Sequence, residues 1–250
     1  PVAANNVFRL PATNVSSTSI VDSYYPDIAH RYLAARSGVG HLGLSGNLLT
    51  QKHGAAVILG SAVTAAPLVP TPPLPPEDNY CDHCRLCMAS CVAAFMNRRV
   101  KTAVVLGGHT LEYAKRRHYG RCDLVCSGYT GLHASGKWST WSPGCFAIPK
   151  KDKDLKTALA HMQHAHNRWP ESEGGRYFFY MDKKLRVSCA NCQLVCCPDK
   201  DERKARYRML TQSGVILQKS NGRRVAVSPE AAKKRIAAMP KARKALYEDV

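Results

Sequence analysis

A chain of 250 residues is long enough for one sizeable domain or two small ones. Lys and Arg outnumber Asp and Glu by 36 to 18, a net charge of +18 that favours a polyanionic partner. No apolar run approaches the ~18 residues of a membrane helix, so no membrane span is expected, and eleven cysteines, an odd number, exclude a fully paired disulfide scaffold.

Residues 1–76 read as a partial α/β domain, opening at Pro1 without a basic and apolar leader, as a fragment or processed form would. Residues 27–36 have helical periodicity, with Ile28, Tyr32, Leu33 and Ala35 apolar. A glycine-rich loop follows, with Gly38, Gly40, Gly43 and Gly46 inside nine positions and Asn47 behind them. Such density lets backbone approach a flat ligand closely, and it equally serves a tight turn. Residues 55–63 are strand-like. The proline-rich stretch 70–76 is a stiff, extended connector that marks the first boundary.

Residues 77–199 carry both cysteine runs around a long insert at 98–176. Within the insert, 110–118 and 153–167 read as helices. The Gly/Ser/Trp-rich stretch 128–144 reads as a packed loop whose Trp138 and Trp141 shield a metal centre from water. Residues 200–250 form a basic extension with 14 basic and 5 acidic residues, half of the net charge. In it, 201–210 reads as a helix, Asn221-Gly222 as a hairpin turn and Ser228-Pro229 as a capped helix start. RNA is the first partner such a tail suggests and a membrane surface the second, against a solvated face with no partner.

The cysteines carry the chemistry. Cys81-x2-Cys84-x2-Cys87-x3-Cys91 has the spacing of a bacterial ferredoxin run, with Val92 where a proline usually follows. Three thiolates of such a loop wrap one [4Fe–4S] cubane and the fourth turns to a second. Cys189-x2-Cys192-x3-Cys196 adds three more. The swapped pairing of two-cluster ferredoxins assigns Cys81, Cys84, Cys87 and Cys196 to cluster one, and Cys91, Cys189, Cys192 and a further thiol to cluster two. Cys122, Cys126, Cys145 and Cys197 are the candidates for that thiol, and Cys197, which precedes Pro198, competes with Cys196. A zinc site would use paired Cys-x2-Cys without the third and fourth cysteine at these spacings. Thiolates in such number imply a reducing compartment, the cytoplasm.

Two other patterns are weaker. Gly131-Leu-His-Ala-Ser-Gly136-Lys137 matches a phosphate-binding loop until Trp138 replaces the hydroxyl that would bind Mg²⁺. His161, His164 and His166 lack an acidic or thiolate companion and read as an exposed polar helix.

The segment from His30 to Cys91 and the run Cys189-Ala-Asn-Cys-Gln-Leu-Val-Cys196 resemble the superfamily of epoxyqueuosine reductases and corrinoid reductive dehalogenases. The matching pieces are Arg36-Ser-Gly-Val-Gly-His-Leu-Gly43, Gly54, the proline-rich connector and both cysteine runs, a little over a third of the chain in the family's order. The resemblance implies that Gly38, Gly40, Gly43, Gly46 and Asn47 lie against a base-off cobalamin, to whose cobalt two [4Fe–4S] clusters deliver electrons. It implies Cys122, which follows Arg121 as in the family, as the last ligand of cluster two. Asp22, in Val21-Asp22-Ser23, resembles the family's catalytic acid, though it stands farther from the glycine loop. The family's catalytic domain begins upstream of the equivalent of Pro1, and the insert bearing Cys126 and Cys145 is unlike that of the tRNA-modifying enzymes.

The expected class is therefore α+β: a truncated α/β corrinoid-type half, a ferredoxin-like two-cluster module and a basic helical tail. The expected function is a corrinoid-linked iron–sulfur reductase fed by a ferredoxin- or flavodoxin-type donor, with tRNA or another polyanion on the tail. The alternatives are a ferredoxin-type carrier with no chemistry of its own and, behind it, a structural zinc protein that binds nucleic acid.

Overall fold

The computed structural model describes residues 2–4, 29–171 and 189–249. In chain order its elements are β1 (Val2–Ala4), α1 (His30–Arg36), β2 (His41–Leu42), β3 (Leu48–Leu49), β4 (Ser61–Val63), α2 (Leu86–Ala89), β5 (Met96–Leu106), β6 (His109–Arg116), α3 (Tyr119–Cys126), α4 (Leu155–His166), α5 (Asn191–Leu194), α6 (Lys200–Thr211), β7 (Val215–Gln218), β8 (Arg224–Val227), α7 (Pro229–Ala237) and α8 (Lys241–Lys244). Helix and sheet are mixed, an α+β composition. The described strands pair two by two: β1 with β4, β2 with β3, β5 with β6 and β7 with β8. Among the described residues no helix is long and apolar enough to cross a membrane.

The chain divides into two compact units, each assembled from separated segments. One gathers Pro1–Cys87, Met96–Lys115 and Cys192–Arg203, the other Met88–Phe95, Arg116–Asn191 and Lys204–Val250.

In the first unit, α1 packs on the β2–β3 hairpin, and Ala35, Leu42 and Leu48 share a core with Tyr113 of β6. The Tyr32 and Tyr113 hydroxyls hydrogen-bond, which ties α1 to β6. Residues 110–118, expected as a helix, are a strand over most of their length. Gly107 and Gly108 both take positive φ, +56° and +78°, the geometry of a two-residue type I′ turn that only glycine adopts freely at both positions. That turn sends β6 back along β5, where Lys101 meets Glu112 at 2.6 Å.

The strand expected over 55–63 is confined to β4. Residue Ala55 instead donates its N–H to the Cys196 carbonyl at 2.9 Å. Gly54, at φ +61°, lies so close to Cys196 that a side chain there would strike its carbonyl. The connector 70–76 packs within this unit, since Thr71 Oγ1 donates to the Ser37 carbonyl at 2.8 Å.

In the second unit, α3 and α4 enclose a core of Leu124, Tyr129, Phe146, Leu155, Met162, Ala165, Trp169 and Tyr247. The tail is part of this core. Trp169 stacks on Tyr247 with ring centres 5.4 Å apart, and its indole N–H donates to the Leu246 carbonyl at 2.6 Å. The β7–β8 hairpin turns through Gly222 at φ +84°. Helix α7 starts at Pro229 with the Ser228 hydroxyl capping the Ala231 N–H, and buries Ala232 and Ile236 on Val215 and Leu217. The hairpin expected at Asn221-Gly222 thus lies between the helices of the tail.

Candidate metal centre

The loop from Cys81 to Cys87 is wound by two residues that rarely adopt such backbone. His83 and Arg85 have φ of +57° and +62°, each costing roughly 1–2 kcal/mol for a residue with a Cβ. Left-handed residues set into a turn make backbone N–H groups converge, as in the nests that hold phosphates and iron–sulfur clusters. Cys84, between them, is the exposed cysteine of the eleven, while Cys87 is buried.

Around this loop the first unit gathers a set of thiols. A recess is lined by Gly43, Leu44, Cys81, Cys84, Cys87, Cys196 and Arg203, among others. Burial pushes the Cys87 thiol far up, and Cys196, Cys192, Cys81 and Cys84 push it further. Burial also pushes Cys196 up to about 11, with Cys81 adding to it and Tyr80 and Arg203 opposing. Thiols crowded in this way resist ionising beside one another, whereas a bound cation deprotonates them outright.

Hydrogen-bond donors converge on their sulfurs. The Leu44 N–H reaches Cys81 Sγ at 3.2 Å, Asn47 Nδ2 reaches Cys192 Sγ at 3.5 Å and Arg203 Nη1 reaches Cys84 Sγ at 3.5 Å. Tyr80 hydrogen-bonds Cys196. Arg203 Nε is buried with no partner among the described residues, a donor that an anionic group in the recess would satisfy. The thiols ring a space. Among the described residues no three His, Cys, Asp or Glu side chains are placed to hold one ion, which would need sulfurs about 2.3 Å from a common point.

In the second unit Cys91, Cys122 and Cys189 pack against one apolar cluster of Val92, Ala93, Phe95, Val125 and Trp138. Val92, where ferredoxins usually have proline, fills part of that cluster. The Phe95 N–H donates to Cys91 Sγ at 3.4 Å, and Asn191 Nδ2 donates to the Ser90 carbonyl at 3.3 Å, tying the Cys189 segment to the Cys91 segment. Helix α3 is anchored by Arg121, only 2% exposed, whose Nε donates to Asp152 at 2.6 Å while Nη2 bonds the Pro149 and Lys150 carbonyls. Cys145 lies elsewhere, against the β7–α7 core, its thiol pushed up to about 12 by burial and then by Glu248. Cys197 is buried, its thiol directed at the Asp199 carbonyl. Cys126 follows Cys122 by one turn at the end of α3.

The glycine loop has an unexpected orientation. A Cβ at Gly38 would meet the Pro72 carbonyl, and one at Gly40 or Gly43 would meet Leu49. Gly46, at φ +71°, closes a turn in which its N–H bonds the Gly43 carbonyl and the Gly43 N–H bonds that of Asn47. The Cβ positions of three of these glycines are filled by the chain itself, while the Leu44 N–H and Asn47 Nδ2 donate to cysteine sulfur. Asp22 lies outside the described residues.

Other sequence features resolve differently from expectation. Trp138 is buried beside Cys91 and Cys122, but Trp141 is 50% exposed. His166 is not on an exposed face: it is buried between Tyr129 and Trp169. Residues 131–137 form a turn closed by a Leu132–Ser139 bridge. The sulfur donors Leu44, Tyr80 and Arg203 escaped the sequence reading. Tyr80 precedes Cys81 directly, but a backbone N–H and an arginine on a following helix leave no spacing signature.

Over 81 residues the chain is 32% identical to the epoxyqueuosine reductase of Synechococcus sp. (strain RCC307), a match covering 32% of this chain and 24% of the relative. The chain therefore spans about a quarter of that relative's length. No family model and no solved structure matches it.

Proposed function

We propose that this chain is an iron–sulfur oxidoreductase of the epoxyqueuosine reductase type that holds two [4Fe–4S] clusters and relays single electrons. The observation that carries the reading is the recess ringed by Cys81, Cys84, Cys87 and Cys196, with donors reaching three of their four sulfurs. The second cluster draws on Cys91, Cys122 and Cys189, which share one apolar cluster. When bound, such clusters pass one electron at a time between a donor and an acceptor. The chain's part is to hold the thiolates, to direct N–H groups at their sulfurs and to keep water off them with Trp138, Phe95 and Val92. A ferredoxin- or flavodoxin-type protein is the donor in this reading.

The test is the metal content of anaerobically prepared protein. About eight iron and eight sulfide per chain are expected, as two cubanes require. Four iron, or zinc in place of iron, overturns the two-cluster reading.

A corrinoid as electron acceptor, with Asp22 as acid, rests on the resemblance alone. The chain itself fills the Cβ positions of Gly38, Gly40 and Gly43, so their lack of a side chain is accounted for by packing, and no step is derived through that group. This favours, as the second reading, an electron carrier that makes no bonds itself. Reconstitution with cobalamin separates the two, because only the reductase yields a protein-bound cobalamin spectrum. On the basic extension, Lys219, Arg223, Lys233, Lys234, Arg235 and Lys241 are all exposed, the charge a tRNA or another polyanion would meet.

A further inference from the structure

Arg203 is an unusual neighbour for a thiolate. It is 3% exposed, so its charge is screened little by solvent. Its Nη1 bonds both Asp82 Oδ1 at 2.8 Å and Cys84 Sγ at 3.5 Å, and Nη2 reaches the Pro198 carbonyl at 3.4 Å. The guanidinium lies 5.9 Å from the Tyr80 ring centre, and Tyr80 in turn bonds Cys196. Asp82 takes a second cation, Lys200, at 3.4 Å. Two cations thus share one carboxylate at Cys84, and the cation nearer the sulfur is the buried one.

A charge in that position has a defined effect. Adding an electron to a cluster makes the site more negative by one unit without forming or breaking a bond. A fixed positive charge and an N–H donor at a ligand sulfur stabilise the more negative state, and so raise the reduction potential. Arginine does not lose its proton in proteins, so the contribution does not change with pH.

We infer that Arg203 is a potential-setting residue: through Cys84 it raises the reduction potential of the centre held by Cys81, Cys84, Cys87 and Cys196, with Asp82 as the counter-charge that moderates it. This inference rests on the cluster assignment proposed above. It assigns the polar network at the start of α6 a role in tuning electron transfer as well as in holding the fold.

The experiment is an anaerobic potentiometric titration of the whole chain, followed by electron paramagnetic resonance, with iron and sulfide counted in each variant. The signal lost in Cys84→Ser identifies the centre concerned. In Arg203→Gln, at the wild-type midpoint, the ratio of reduced to oxidised centre is expected to fall about tenfold, which for one electron is about 59 mV. Arg203→Lys should restore most of the shift, and Asp82→Asn should move the midpoint the opposite way. A merely structural pair would lose iron in both variants or shift both alike. Unchanged midpoints with full iron content overturn the inference and leave the clusters standing. Absence of any cubane signal in the wild type overturns the cluster assignment itself. Should Arg203→Gln fail to assemble the centre, Asp82→Asn decides: a raised midpoint upholds the inference and an unmoved one ends it.

Discussion

Arg121 Nε lies 2.6 Å from Asp152 Oδ1, and the residue after Arg121 in α3 is Cys122. The arginine is buried and its partner half-exposed, so the bond fixes the helix turn that presents Cys122 to the apolar cluster beside Cys91 and Cys189. Arg121→Ala would take the donor from the Pro149 carbonyl and leave the Lys150 carbonyl and the Asp152 carboxylate with Arg117 alone. A loss on the order of 3 kcal/mol is expected in chemical denaturation. A loss below 1 kcal/mol would show that α3 is held by its apolar face alone.

The same pair makes stability depend on pH. Burial alone would push the Asp152 carboxyl up, but the hydrogen bond and charge of Arg121, with a smaller contribution from Arg117, hold it below the usual carboxylate value of 3.8. A depressed folded-state value stabilises the fold above pH 3.8 and is lost as pH falls through it. The stability difference between wild type and Asp152→Asn should therefore be constant at neutral pH and shrink below about pH 4. Thermal melts of both proteins across pH 3–7 measure this, and a constant gap down to pH 3 contradicts it.

In the proposed two-cluster assignment, Cys122, Cys126 and Cys145 are rival candidates for one ligand position. Because Cys122 shares its apolar cluster with Cys91 and Cys189 and Cys145 belongs to the β7–α7 core, their serine variants should separate cleanly. Cys122→Ser is expected to reduce iron from about eight to about four per chain or leave a three-iron form, and Cys145→Ser to leave eight. The reverse pattern would transfer the ligand role to Cys145.

Gly43→Val probes the glycine loop. Its new side chain would overlap Leu49, and overpacking of this kind costs about 1–3 kcal/mol. Melting temperature and any cobalamin binding should fall together. Loss of cobalamin binding at an unchanged melting temperature would instead mean that the loop faces a corrinoid.

The basic surface is testable without truncation, which would remove Tyr247 from its stack on Trp169 and open the core. Replacing both Lys233 and Lys234 with Glu leaves the buried face of α7 untouched. If the surface binds tRNA, the slope of log affinity against log salt should decrease in magnitude by about 2. Binding with an unaltered slope would place the RNA elsewhere or show the charge to be merely solvated.

The local punctuation of the chain was readable in advance. Ser228-Pro229 starts α7 and Asn221-Gly222 turns the β7–β8 hairpin because a capping hydroxyl, a proline ring and a left-handed glycine act within a few residues. The cysteine runs were readable for the same reason, since their spacing is short. The helix expected over 110–118 overlooked Gly107-Gly108, whose turn makes the segment a strand with Leu111 and Tyr113 on one face. What stayed hidden was long-range. Nothing near Arg203 in sequence points to Cys84, and nothing in the glycine loop reveals that Leu44 and Asn47 donate to sulfur, because those contacts exist only once distant segments are brought together.

The left-handed backbone at His83 and Arg85 bears on how the protein ages in air. In the proposed cluster assignment a cubane on Cys81, Cys84 and Cys87 would hold a segment wound against its own preference, so loading the metal would also order the loop. Loss of iron to oxygen at the exposed Cys84 corner would then be expected to release the winding and open the peptide bond after Arg85 to trypsin. Proteolytic nicking at that bond would then track the bleaching of the brown colour, minute for minute.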